Sequence, residues 1–390
     1  MPGEHPVPRL NAIFERGFPR RREVVRDAIT SRSASSAGRA RVRGSRPYRS
    51  LSTGVVAVSD AVDRRFVLRT IGAAAVVAVS LQQQPDSAQV RSTTELHQAY
   101  SAALAAAVNG YETSDLTTTA SSMRPLESTT RTIPRQRRLR GQDAIDWMRL
   151  HAAVTVVSAG TDYDRGLHSD AAVRSDRAAS LARAAGDGPL AARALALRAR
   201  VVRQYSPAVS LQIAGAAARI AGHSPARAMI AGKVVAGAYA AAGDLSGVRD
   251  AVSRAWRTME RLDDVAHGRP GFAIDTYSPA DLALASAEAL TTVGAADEAR
   301  PYLRKAYSLI QDSGQTGMIV SVRMAQARAA VSGDRPDHYE AAEHAAAAVA
   351  LAADRPAEWV ARLIRDISRL AEERTGHALD ELVAATSAWV

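Results

Sequence analysis

Chemistry in this chain is easier to exclude than to find. The 390 residues include no cysteine, which removes disulfides, thiolate zinc sites, iron–sulfur clusters and a cysteine nucleophile together. The histidine–carboxylate cluster of note is His338-Tyr339-Glu340-Ala341-Ala342-Glu343-His344. Glu340 and His344 are four apart, so a helix puts them on one face, where they could ligate a metal with outside help. The paired histidines of a zinc-protease helix are missing, and the expectation is an exposed helix start. Gly232-Lys233 is followed by Val234, without the hydroxyl and upstream glycine that a phosphate loop needs. No Gly-x-Ser-x-Gly elbow occurs. Trp147 and His151 share a helical face in apolar surroundings, which reads as core packing. Asp162, Asp164 and Asp170 flank Tyr163 without the spacing of oxygen ligands and read as helix caps. No catalytic residue, metal or cofactor is expected, and the chain reads as non-enzymatic.

The elements that would position any site are helical. Apolar residues make up 47% of the chain but aromatics only 5%, and alanine dominates. Such a core suits closely approaching helices rather than a β-sandwich. Beyond residue 90 the apolar periodicity predicts helices near 92–110, 141–159, 168–185, 188–204, 207–221, 225–242, 245–262, 279–293, 295–312, 316–331, 336–353, 356–373 and 377–388. Ser224-Pro225 and Ser278-Pro279 place a capping hydroxyl before a first-turn proline. Gly243, Gly294 and Gly333 supply C-terminal stops. Residues 112–140, rich in Ser and Thr and containing Pro125 and Pro134, read as a loop or a poor helix. Residues 263–278 form the longest internal connection. Loops of that length are often functional, although Phe272 and Tyr277 read as packing over a helix pair.

The helix pairs resemble one another. Ala236 lies seven before Gly243 and Tyr239 four before it; Val248 follows five after and Ala255 twelve after. Ala287, Leu290, Ala299 and Ala306 stand at the same offsets from Gly294. This resembles the tetratricopeptide repeat, with looser copies over 188–221 and 316–353, so that the likeness covers roughly 165–375. The 51 residues between the two glycines exceed the usual repeat, which makes the array irregular. The fold expectation is an all-α, tetratricopeptide-like solenoid of antiparallel helix pairs over 91–390. Such arrays offer a concave face to a protein, peptide or ligand. Helix geometry puts Arg198, Lys233, Glu288 and Arg323 on the groove side, and three cations there would suit an acidic segment or a carboxylate.

The formal charge of +10 is uneven: residues 1–70 carry 15 arginines against 6 acids. The first 62 residues, basic and rich in Ser, Pro and Gly, read as a flexible arm able to attract nucleic acid weakly and without sequence preference. Val62-Asp63-Arg64-Arg65-Phe66-Val67-Leu68 resembles the junction ahead of the tetratricopeptide-like domain in actinobacterial transcriptional regulators of the Cro/repressor helix-turn-helix type. Residues 9–30 are similar to the stretch following the recognition helix of that module, which is truncated here. Arg64 and Arg65, followed by the apolar 70–81, also resemble a twin-arginine export signal. That apolar stretch is too short to span a membrane, which takes ~20 residues. Segment 63–90 is thus a junction in one reading and an export signal in the other. The resemblance to the regulators implies a cytoplasmic sensor or scaffold half that binds a protein, a peptide or a small effector; the alternative is an exported repeat protein.

Overall fold

The computed structural model describes residues 92–353, 356–375 and 379–389. The basic arm 1–62, the segment 9–30, Arg64, Arg65 and the junction 63–90 lie outside the described residues. The described part is helical, with no strand among the described residues. Its helices are α1 (Thr93–Gly110), α2 (Leu116–Gln136), α3 (Gly141–Asp164), α4 (His168–Ala184), α5 (Gly188–Arg203) and α6 (Pro207–Ile220). Helix α7 runs as Pro225–Met229, a π-helical turn Ile230–Val235 and Ala236–Ala241. Then come α8 (Leu245–Met259), the short α9 (Asp264–His267), α10 (Pro279–Thr292), α11 (Ala296–Ile310), α12 (Thr316–Ser332), α13 (His338–Ala352), α14 (Glu358–Thr375) and α15 (Asp380–Thr386).

Local chemistry sets most of these boundaries. Ser92 and Glu95 close a reciprocal capping box on α1. Asp115, Asp187, Ser206, Asp244, Ser278 and Asp337 each accept a backbone N–H of the first turn they precede. Pro207, Pro225 and Pro279 occupy first-turn positions whose N–H has no intrahelical acceptor. Gly243 and Gly294, at φ of 74° and 87°, end α7 and α10 in the left-handed conformation that glycine adopts without steric cost.

Helices stack in two layers. In the inner layer α3, α5, α7, α10, α12 and α14 each pack on the next; α4, α6, α8, α11 and α13 lie outside, each against its chain neighbours. This is an all-α solenoid of adjacent helix pairs. Ala236, Ala255, Ala287, Ala299 and Ala306 are fully buried, Leu290 nearly so, and Tyr239 packs at the edge of the same core. An alanine methyl contributes only ~0.8 kcal/mol. Cohesion therefore comes from many close backbone approaches, with bulk supplied at intervals by Leu282, Ile310, Met324 and Ile364.

Two segments differ from the sequence reading. Residues 116–136 form a regular helix despite Pro125 and Pro134. Met123, Leu126, Thr130 and Ile133 give it a buried stripe against α3, and tertiary burial outweighs the hydrogen bonds that the prolines omit. It ends in a Schellman closure, Leu139 N–H to Pro134 O and Arg138 N–H to Arg135 O, with Arg138 in the left-handed region at φ 50°. Asp162 and Asp164 are not caps, because α3 continues through them. Asp162 instead pairs with Arg174, and Asp164 accepts the Tyr111 hydroxyl at 2.7 Å.

Candidate functional site: a cavity on the inner face

The inner helices surround a cavity of about 540 Å³, within the ~300–1,000 Å³ of small-molecule sites. Its walls come from α3 (Tyr163, Asp164), α5 (Arg200, Arg203), α7 (Lys233, Gly237), α10 (Glu288), α12 (Ser321, Arg328) and α14 (Trp359, Arg362). The turn between α1 and α2 supplies Glu112, whose carbonyl accepts Gly317 N–H at the start of α12 (3.0 Å) and whose carboxylate accepts Phe272 N–H (2.9 Å). The array's first turn is thereby tied to both the α9–α10 loop and α12.

Residues 268–277 of that loop form one wall. Phe272 stacks on Tyr111 with ring centroids 4.3 Å apart, above Gly160 of α3. A Cβ at Gly160 would stand 2.9 Å from the Phe272 ring, so glycine there lets the ring reach the helix. Arg193, buried on α5, donates to Ala273 O (3.0 Å) and Thr276 O (2.6 Å). Burial lowers the Arg193 guanidinium to about 10, with Asp275, Tyr277 and Asp281 opposing the effect; it is still a cation near neutral pH. Asp281, held up in pKa mainly by burial, accepts from the Gly271 N–H (3.1 Å) and the Ser278 hydroxyl (2.5 Å). The loop thus does more than cover a helix pair: it is pinned at four backbone groups and walls the cavity.

Arg200 stands apart from these satisfied groups. Its guanidinium lies over the Tyr163 ring, 4.3 Å from the centroid, and faces the cavity. No hydrogen bond or ion pair joins it to any described residue, and its Nε is buried without a partner. Burial opposes its charge, but Tyr163, Asp164, Glu288 and Tyr111 outweigh that and hold its pKa above the ordinary arginine value. The Tyr277 hydroxyl and His168 Nδ1 are likewise buried without partners, and both residues line the same cavity. Burial pushes the Tyr277 phenol well up, with Asp281 and Glu288 adding to it, so it stays a protonated donor.

Of the four groove residues expected from helix geometry, Lys233 and Glu288 line the cavity. Arg198 and Arg323 do not. Arg198 turns to Asp176 on α4 at 3.2 Å. Arg323 donates to the Tyr307 hydroxyl at 2.7 Å, contacts His344 Nδ1 at 3.1 Å and covers the Tyr307 ring. Both point to the outer layer, since neighbouring arginines on one helix diverge by about 100° per residue. Arg200 sits two residues from Arg198, and only the phase of α5 against α3 distinguishes them. Orphaned donors carry no mark in a sequence, so Arg200 and Tyr277 could not be singled out there.

The remaining candidates are absorbed by structure. Glu340 and His344 face each other at 3.6 Å, with Arg300 on the glutamate and Arg323 on the histidine. No group of three or more metal-ligating side chains occurs among the described residues. Trp147 and His151 are buried in the α1–α5 core. No helix among the described residues is long and apolar enough to cross a membrane. No protein-family model and no curated protein matches the chain.

Proposed function

We propose that the chain is a non-catalytic helical-repeat binding protein. In this reading the inner cavity receives a small effector or the end of a peptide, and the array is the sensor or scaffold half of an actinobacterial regulator-like protein. The observation that carries it is the cavity, walled by six inner helices and by a loop pinned through Arg193 and Asp281. Its volume suits a small molecule or a few residues of a partner, not a folded domain. A cytoplasmic setting and weak, non-specific attraction of DNA to the basic arm belong to the same proposal.

The test is a thermal-shift screen of small molecules and short peptides with the full chain and with Ser321→Trp. Ser321 is half-buried on the cavity wall, and an indole there occupies the space. Compounds that raise the melting temperature of the native chain but not of the variant support the reading; hits indifferent to Ser321→Trp, or no hits at all, remove it. The export alternative rests on Arg64-Arg65 and the apolar 70–81, and mass spectrometry of the mature N-terminus separates the two: cleavage near residue 80 establishes export.

A further inference from the structure

We infer that Arg200 is the receiving group for a single carboxylate or phosphate of the cavity's ligand. This rests on the reading of the cavity as a binding site. Arg200 is partly buried, its Nε sealed and its terminal nitrogens not, and it makes no hydrogen bond although polar groups packed in folded proteins are overwhelmingly paired. Three of the six buried atoms without a partner among the described residues, Arg200 Nε, Tyr277 OH and His168 Nδ1, belong to residues of this cavity. The guanidinium carbon lies over the Tyr163 ring, 4.3 Å from its centroid, and the planar fork of an arginine matches the two oxygens of a carboxylate or phosphate. Arg193, by contrast, spends its donors on the loop carbonyls, and Arg203 donates to Lys233 O.

The walls also limit what can bind. Six arginine or lysine residues face five carboxylates around the cavity, a near balance that suits one anionic group and opposes a polyanion. Glu288, within electrostatic reach of Arg200 and Tyr277, bars a second negative charge beside the first.

Calorimetric titration of the full chain with butyrate, a monocarboxylate, and with inorganic phosphate tests the assignment and separates the two sources of the anionic group. Binding of either is expected to weaken at least tenfold in Arg200→Gln and to be unchanged in Arg198→Gln, whose side chain faces α4. Melting curves of Arg200→Gln in the same samples separate loss of the anion site from loss of the fold. Absence of binding by both anions, or equal affinity in a folded Arg200→Gln, overturns the inference. If cavity compounds from the thermal-shift screen bind Arg200→Gln as tightly as the native chain, the anion assignment fails while the cavity reading stands.

Discussion

Lowering the pH from 7.5 to 5 should remove a defined share of stability through His151 alone. The imidazole is buried on α3. The Arg177 Nη2–H lies 3.3 Å from its Nε2, and its Nδ1 lies 2.9 Å from the Thr130 hydroxyl, which itself donates to Leu126 O. Arg177 can only donate and the Thr130 proton is already used, so the ring is held neutral with its proton on Nδ1. Burial first, then the charges of Arg177, Arg131 and Arg135, push the imidazolium down from 6.5 to about 4. Between those values the unfolded chain binds a proton that the native chain refuses. The stabilisation is complete above pH 6.5 and is lost as the pH falls toward 4. The loss amounts to about 2 kcal/mol between pH 7.5 and 5 and levels off near about 3 kcal/mol below pH 4.

The assay is urea unfolding at the two pH values for the native chain and for His151→Asn, which keeps an amide donor and cannot titrate. Carboxylates elsewhere titrate equally in both proteins, so the difference between them isolates the imidazole. The native chain should lose about 2 kcal/mol more than the variant. Equal losses, or a His151 ring proton that titrates near 6.5 by NMR, would refute the reasoning.

Three further outcomes follow from other parts of the molecule. Arg138→Gly relieves a left-handed residue at the Schellman closure of α2 and should stabilise by about 0.5–1 kcal/mol in thermal or urea unfolding. Gly232→Ala brings a methyl 2.3 Å from Leu282 Cδ1 and 3.1 Å from Ala255 Cβ inside the π-helical turn; overpacking of this kind costs about 1–3 kcal/mol, read as a lowered melting temperature. Arg193→Met leaves the Ala273 and Thr276 carbonyls without their donor, and hydrogen exchange over 268–277 should accelerate well before global unfolding.

Composition and periodicity by themselves determined the class of this protein and most of its boundaries. Ala-rich amphipathic runs have no stable alternative to helix-on-helix packing, and caps such as Ser278-Pro279 and stops such as Gly243 act within one turn of chain. The offsets from Gly243 and Gly294 located alanines that are in fact buried at helix contacts, because close approach demands small side chains wherever it occurs. The helix α2 was not legible, since its Ser, Thr and Pro content opposes helix locally and only packing against α3 reverses the balance. The π-helical turn in α7 has no sequence signature at all.

The site belongs to tertiary structure. Lys233 and Glu288 could be placed on the inner face from helix phase, but Arg198 and Arg323 were not separable from Arg200 by the same reasoning. Which arginine meets a partner and which is left facing a cavity depends on how α5 rotates against α3 and α4. It depends equally on the contacts of Glu112 with Phe272 and Gly317, which lie 160 and 205 positions further along the chain. Periodicity reports the orientation of a side chain about its own helix axis; it contains no information on what the neighbouring helix offers in return.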